Sequence, residues 1–196
     1  MPATLRTFIA IELDEELKGN LARLQGRMRQ QLSPHAVRWV RPEGVHLTFK
    51  FLGDTTPQQV EQVKEALGRA AATARPFRFT VGGVGCFPNT RRPRVIWVGV
   101  HEPAGTLAHL RDAIEAQVAP LGFPTEKRRF HPHLTLGRVH RRASKSEVRE
   151  VGEMVATSAV GDLDEMEVTA VAYIKSDLRP SGAVYTTLYH AGLGGE

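Results

Sequence analysis

Two tetrapeptides stand out for the chemistry their side chains can do: His46-Leu47-Thr48-Phe49 and His133-Leu134-Thr135-Leu136, 87 positions apart (133 minus 46). Each reads as part of a strand, where successive side chains point to opposite faces. His and Thr then share one face, and Leu with Phe or Leu shares the other. Two such strands facing one another present two imidazoles and two hydroxyls to a common cleft. Imidazole titrates near 6.5, so one protonated and one neutral ring form an acid/base couple at neutral pH. Threonine hydroxyls donate hydrogen bonds to anionic oxygens. Together these are parts for holding a phosphate while a proton moves on either side of it, as the opening of a cyclic phosphodiester requires. No metal is needed if the non-bridging oxygens are stabilised electrostatically.

A single histidine in a strand is more often structural than functional. Two His-Leu-Thr units in matching positions favour a functional pair. Arg138 lies five positions after His133, an odd offset that turns it away from the cleft in a regular strand; a bulge near Gly137 would bring it back to bind phosphate. Lys50 shares the face of His46 and Thr48 and is expected at the cleft rim, with Arg41. Phe49 is expected to face away and to matter only for packing. A His131/His133 metal pair has no third ligand nearby to complete it, so no metal and no cofactor are expected. His35, His101, His109, His140 and His190 read as surface residues, and the lone Cys86 as a small buried hydrophobe.

The elements that must position these groups alternate between strand and helix. Leu5 to Leu13 is a strand, followed by a helix from Glu15 to Gln31 with Leu17, Leu21, Leu24 and Met28 on one face and Asp14 as N-cap. Val37–Val40 and Val45–Leu52 are strands joined by the turn Arg41-Pro42-Glu43-Gly44, and Thr56-Pro57 opens a second helix. Phe77–Val84 and Arg94–Val100 are strands, Thr106–Val118 a helix, and Glu126–Phe130 a short basic strand. Leu134–Val139, the helix Ser144–Val155, and the strands Met166–Ile174 and Ala183–Tyr189 complete the chain. The 87-residue offset also lays Ile9, Ile11 and Leu13 on Ile96, Val98 and Val100. This repetition predicts an α+β fold: one two-lobed domain over residues 1–196, with a pseudo-repeat of roughly 1–90 and 91–190. Each lobe is a mostly antiparallel sheet with helices on its outer face, and a cleft runs between them.

A formal charge of +5 and a pI of about 9.7 favour a polyanionic partner. No apolar run approaches the roughly 18 residues that span a bilayer, and Met1 to Arg6 lacks the features of a signal peptide. A cytoplasmic monomer without membrane contact is the expectation.

These residues resemble the 2H phosphoesterase superfamily, and within it the RNA 2′,3′-cyclic phosphodiesterase family, historically called 2′-5′ RNA ligase. The resemblance runs through Phe8-Ile9-Ala10-Ile11, Trp39-Val40-Arg41-Pro42-Glu43, His46 to Gly53, Phe87-Pro88, Pro93 to Trp97, His131 to Arg138, Lys175-Ser176-Asp177-Leu178, Gly182 and Tyr185. It implies metal-free hydrolysis of RNA 2′,3′-cyclic phosphate ends to 2′-phosphates. On this chain it implies His46 as the general acid protonating O3′ and His133 as the general base activating water. Thr48, Thr135 and Arg138 would hold the phosphate. Phe49 departs from the aliphatic residue commoner at its place. Two other readings stay open: the reverse reaction, sealing RNA ends through a 2′-5′ bond, and a non-catalytic RNA-binding module. No adenylate-accepting lysine motif or Walker-type loop supports an energy-driven ligase.

Overall fold

Polar caps start three of the four helices where the apolar periodicity begins. Asp14 accepts from the Leu17 amide to open α1 (Glu15–Arg29). Thr56 and Gln59 form a capping box on α2 (Pro57–Ala71), which has proline in its first turn. Ser144 and Glu147 do the same on α4 (Lys145–Thr157), whereas α3 (Thr106–Val118) follows Gly105 in the left-handed region. The apolar faces predicted for α1, α2 and α3 are buried, as are Val151 and Val155 of α4; Val148 is half-buried.

The computed structural model describes residues 4–180 and 182–194; residues 1–3 of the Met1–Arg6 stretch lie outside them. Nine strands form two antiparallel sheets among the described residues: β1 (Leu5–Glu12), β2 (Val37–Trp39), β3 (His46–Thr55), β4 (Phe77–Phe87), β5 (Val95–His101), β6 (His133–Val139), β7 (Asp162–Val168), β8 (Ala170–Arg179) and β9 (Gly182–Gly192). One sheet has the order β3-β1-β8-β9 and the other β2-β6-β5-β4-β7. The fold is α+β with two lobes, as expected. Helices α2 and α3 pack on the first sheet, α1 and α4 on the second.

Each sheet draws strands from both halves of the chain. β1 and β3 are joined by β8 and β9 from the C-terminal end, while β5 and β6 are joined by β4 from the first half. In this arrangement β3-β1-β8-β9 corresponds to β6-β5-β4-β7, with β2 added on the edge beside β6.

Two expected elements differ. Glu126–Phe130 is not a strand. Both edges of β6 are occupied, by β5 and β2, and Glu126 folds back to accept from the Arg128 amide and guanidinium. Met166–Ile174 is two strands, β7 and β8, parted at Thr169 where the chain leaves one sheet for the other.

The registers carry a further departure. Between Ala10 and Ile9 on β1 the partner jumps from Thr48 to Lys50, so β3 holds one extra residue at Phe49. β6 does the same at Leu136: Thr135 pairs with Trp97, but Gly137 pairs with Ile96. Such bulges shift the alternation of every later side chain. Lys50 lines the cleft as expected, but it does not share the face of Thr48. It aligns with buried Ile9 and is itself only 6% exposed. Its ammonium donates to Glu115 Oε2 of α3 at 2.8 Å and to the Pro124 carbonyl at 2.6 Å.

A buried pair loses most when one partner is left alone, by about 3–5 kcal/mol, whereas replacing both by apolar groups of similar volume is often close to neutral. Lys50→Met alone is expected to lower unfolding stability by about that amount. The double variant Lys50→Met, Glu115→Met should recover much of the loss. Denaturant melts of the four proteins in the cycle check this; additive losses would show that the two side chains do not act as a pair.

Candidate active site

The two His-Leu-Thr strands, β3 and β6, approach one another, and His46, Thr48, His133, Thr135 and Arg138 line one cleft of about 450 Å³ between them. Leu47, Leu134 and Leu136 are fully buried beneath it. The alternation that places His and Thr on one face therefore holds through the first three positions of each motif.

Both imidazoles are fixed the same way. His133 Nδ1 lies 2.6 Å from the carbonyl of His131, two residues before it. A carbonyl can only accept, so Nδ1 carries the proton and a neutral His133 keeps Nε2 as its free acceptor. His46 likewise bonds the backbone carbonyl of Gly44, two residues before it. Aromatic edges pin the rings. Phe8 and Tyr185 stand 5.5 and 4.8 Å from His46, each near perpendicular, and Phe87 stands 5.0 Å from His133.

Burial pushes both rings below the usual histidine value, but their neighbours differ in sign. Glu12, directly across the β1–β3 ladder from His46, counters the loss by favouring its imidazolium. Its carboxylate also accepts from Thr187 Oγ1 at 2.6 Å and bonds His190 Nε2 at 2.5 Å. Beside His133 the charged neighbours are His131 and Arg138, which lower it further, while its bond to the His131 carbonyl favours the charged form.

The bulge at Leu136 does for Arg138 what the sequence reading required: Arg138 pairs with Val95 and lines the cleft. The bulge is closed from behind, because the Leu136 carbonyl accepts both the Val40 amide at 2.9 Å and Nε2 of buried Gln25 at 2.8 Å. The matching bulge in β3 turns out Phe51, which occupies the place equivalent to Arg138 at the 87-residue offset. Phe51 lines the cleft and is 70% exposed, the most exposed large hydrophobic side chain described. Sequence reasoning missed it because strict alternation, counted from His46, sends it to the other face.

Other expectations are corrected. Phe49 does more than pack behind the strand: it contributes to the cleft wall and stacks on Phe130 at 6.0 Å. It sits at the bulge, which removes the strict in-or-out choice. Arg41 is exposed at the start of a 3-10 turn, Pro42–Gly44, and is not among the cleft-lining residues. The floor under His133 holds Trp97, seated on Gly85, where an added Cβ would stand 2.2 Å from the indole. His35, His101, His109, His140 and His190 are exposed, and Cys86 is buried. Among the described residues no cluster of three or more His, Cys, Asp or Glu side chains is placed to hold a metal ion, and no helix is long and apolar enough to cross a membrane.

Comparison with known proteins places this geometry. The family model described as LigT-like phosphoesterase matches the chain twice, over residues 11–97 and 98–185. An RNA 2′,3′-cyclic phosphodiesterase of Methanothermobacter thermautotrophicus is 31% identical over 185 residues, covering 94% of this chain and 96% of that protein. One from Aquifex aeolicus is 35% identical over 159 residues, covering 81% and 82%. Among solved structures, a protein of Thermus thermophilus superposes with a TM-score of 0.79 at 29% identity, covering 98% of this chain and all of that one. Escherichia coli LigT bound to 3′-AMP gives 0.77 at 24% identity, covering 97% and 98%, and shares the fold. With both halves matched, one His-Leu-Thr motif in each, the chain belongs to the LigT-like phosphoesterase family.

Proposed function

We propose that this chain hydrolyses RNA 2′,3′-cyclic phosphate ends to 2′-phosphates, with His46 and His133 as a metal-independent acid/base pair. The observation that carries the reading is the convergence of both motifs and Arg138 on one cleft. The substrate named for the relatives supports it.

The charges around the two rings support the division of roles. The acid must hold a proton at the start, and His46 has the carboxylate of Glu12 across the ladder to favour it. The base must be neutral, and His133 has Arg138 and His131 against its imidazolium, with Nε2 free as acceptor. His133 takes the proton from water as its oxygen attacks phosphorus. The phosphorus–O3′ bond breaks, and His46 delivers its proton to O3′, leaving the phosphate on O2′. Thr48, Thr135 and Arg138 hold the non-bridging oxygens, where charge rises. Phe51 offers an exposed aromatic face for the terminal base. The two lobes would then work as one domain, each giving one histidine. A monomer in the cytoplasm belongs to the same proposal and rests on composition.

Incubation with a short RNA ending in a 2′,3′-cyclic phosphate is expected to yield a 2′-phosphate, with or without EDTA. His46→Ala and His133→Ala should each lower kcat by about 10²–10⁴-fold, the usual worth of a positioned acid or base, with little change in melting temperature. Strong inhibition by EDTA, or full activity in both variants, would sink the scheme. A 2′-5′ joined product with an added 5′-hydroxyl RNA would point to the reverse reaction.

The rate against pH should be bell-shaped, its limbs belonging to the histidine pair. His133 must lose its proton, which sets the acid limb, and His46 must keep its proton, which sets the alkaline limb. Glu12→Gln removes the negative charge that favours imidazolium at His46, so the alkaline limb should move to lower pH. An unmoved alkaline limb would separate Glu12 from the acid.

A further inference from the structure

The two cleft histidines have unlike neighbours one strand in. His46 pairs with Glu12 in the β1–β3 ladder, whereas His133 pairs with Gly99 in the β5–β6 ladder. Position 99 is the counterpart of position 12 at the 87-residue offset. No side chain fits there, because a Cβ on Gly99 would stand 2.8 Å from the Gly82 carbonyl oxygen. The carboxylate beside a histidine therefore belongs to one lobe only.

The groups that hold it belong to that lobe too. β8 lies between β1 and β9, so Glu12 and its partners on β9 start two strand spacings apart, roughly 10 Å. They meet because small, buried Ala172 stands between, pairing with Ala10 of β1 on one side and His190 of β9 on the other. Across it Glu12 Oε2 bonds His190 Nε2 at 2.5 Å, and Oε1 accepts from Thr187 Oγ1 at 2.6 Å. A carboxylate only accepts, so His190 Nε2 carries the proton. In the other lobe the β4–β7 ladder stops at Gly82, short of Gly85, the counterpart of Ala172.

The charged and titratable groups around this corner are His46 of β3, Glu12 of β1, His190 and Tyr185 of β9, and Lys18 of α1. β8 contributes the uncharged Ala172, and the Lys18 ammonium is paired with Glu15 at 2.8 Å. Neither His190 nor Thr187 lines the cleft.

We infer that His190 and Thr187 are positioning residues for the proton donor: they hold the Glu12 carboxylate in place beside His46, although neither reaches the reacting atoms. The inference rests on the phosphodiesterase reading and adds to it two side chains that act through Glu12. A carboxylate bonded at both oxygens keeps its charge in one place. A free one turns toward water, where its field on the imidazole is screened. Glu12 and His190 are both part-exposed, so their bond adds little to stability and its removal leaves the fold standing.

The test follows the His46 ring by NMR through a pH titration, assigned by its loss in His46→Ala, beside the pH–rate profile on an RNA with a 2′,3′-cyclic phosphate end. His190→Ala and Thr187→Val should each lower the His46 midpoint and carry the alkaline limb with it. A shift of about half a unit lowers the rate on that limb about threefold. His190→Gln, whose amide nitrogen replaces Nε2 as a neutral donor, should restore both readings. In a Glu12→Gln background, His190→Ala should move neither any further. A His46 midpoint that stays or rises in both single variants, or that falls equally with and without the Glu12 carboxylate, overturns the inference. A midpoint that moves as expected in a protein without turnover supports the positioning and overturns the hydrolase reading instead.

Discussion

Each motif strand must place His, Thr and a third group on one face at relative positions 0, 2 and 5, and a regular strand cannot do this because its faces alternate. The bulges at Phe49 and Leu136 solve the problem by one extra residue each. A bulge takes backbone groups off the ladder, and buried groups need partners. A buried polar side chain from a helix of the other half stands at each bulge. Gln25 of α1 bonds the Leu136 carbonyl, and Glu115 of α3 bonds Lys50 just past Phe49. Gln25 thus satisfies the bulge carbonyl itself, while Glu115 fixes the side chain next to the other bulge.

The exchange of strands explains why such contacts cross between halves. Because β4 joins the second sheet and β8 the first, neither half of the chain can complete a sheet alone. The helices follow the same pattern, with α1 packed on the sheet of β6 and α3 on the sheet of β3. Each histidine-bearing strand is thus braced by the half that carries the other histidine. Relative motion of the two histidines is resisted by buried side chains on both sides. That suits the proposed acid/base pair, which would act on one phosphorus atom, where small misplacements are costly.

Much of this was legible in the sequence. Helix caps at Asp14, Thr56 and Ser144, the apolar faces of the helices and the core-facing leucines of the two motifs follow from local rules that act within a few residues. The bulge near Gly137 was readable because a strand glycine signals one. Its counterpart in β3 carries no glycine at that point, so Lys50 was assigned to the wrong face and Phe51 was overlooked. Gln25 and Glu115 were invisible for a different reason. Their partners lie 111 and 65 residues away, and nothing local marks a polar residue on a helix as buried. The failure at Glu126–Phe130 was of the same kind, since a strand needs a partner edge, which no local pattern reveals.

The pseudo-symmetric frame is broken inside the cleft at one telling place: a cation at position 138 where its counterpart, position 51, is an aromatic ring. A perfectly symmetric frame would accept a cyclic ester equally well in two senses, related by a half-turn, and would expose either ribose oxygen to the proton donor. On the proposed reading, the guanidinium draws the charged phosphoryl oxygens to one flank while the phenyl ring takes the nucleobase on the other. On that reading the half-turn degeneracy is lifted, and the unlike pair at positions 51 and 138 would add to Glu12 in setting which of two chemically similar bonds is severed.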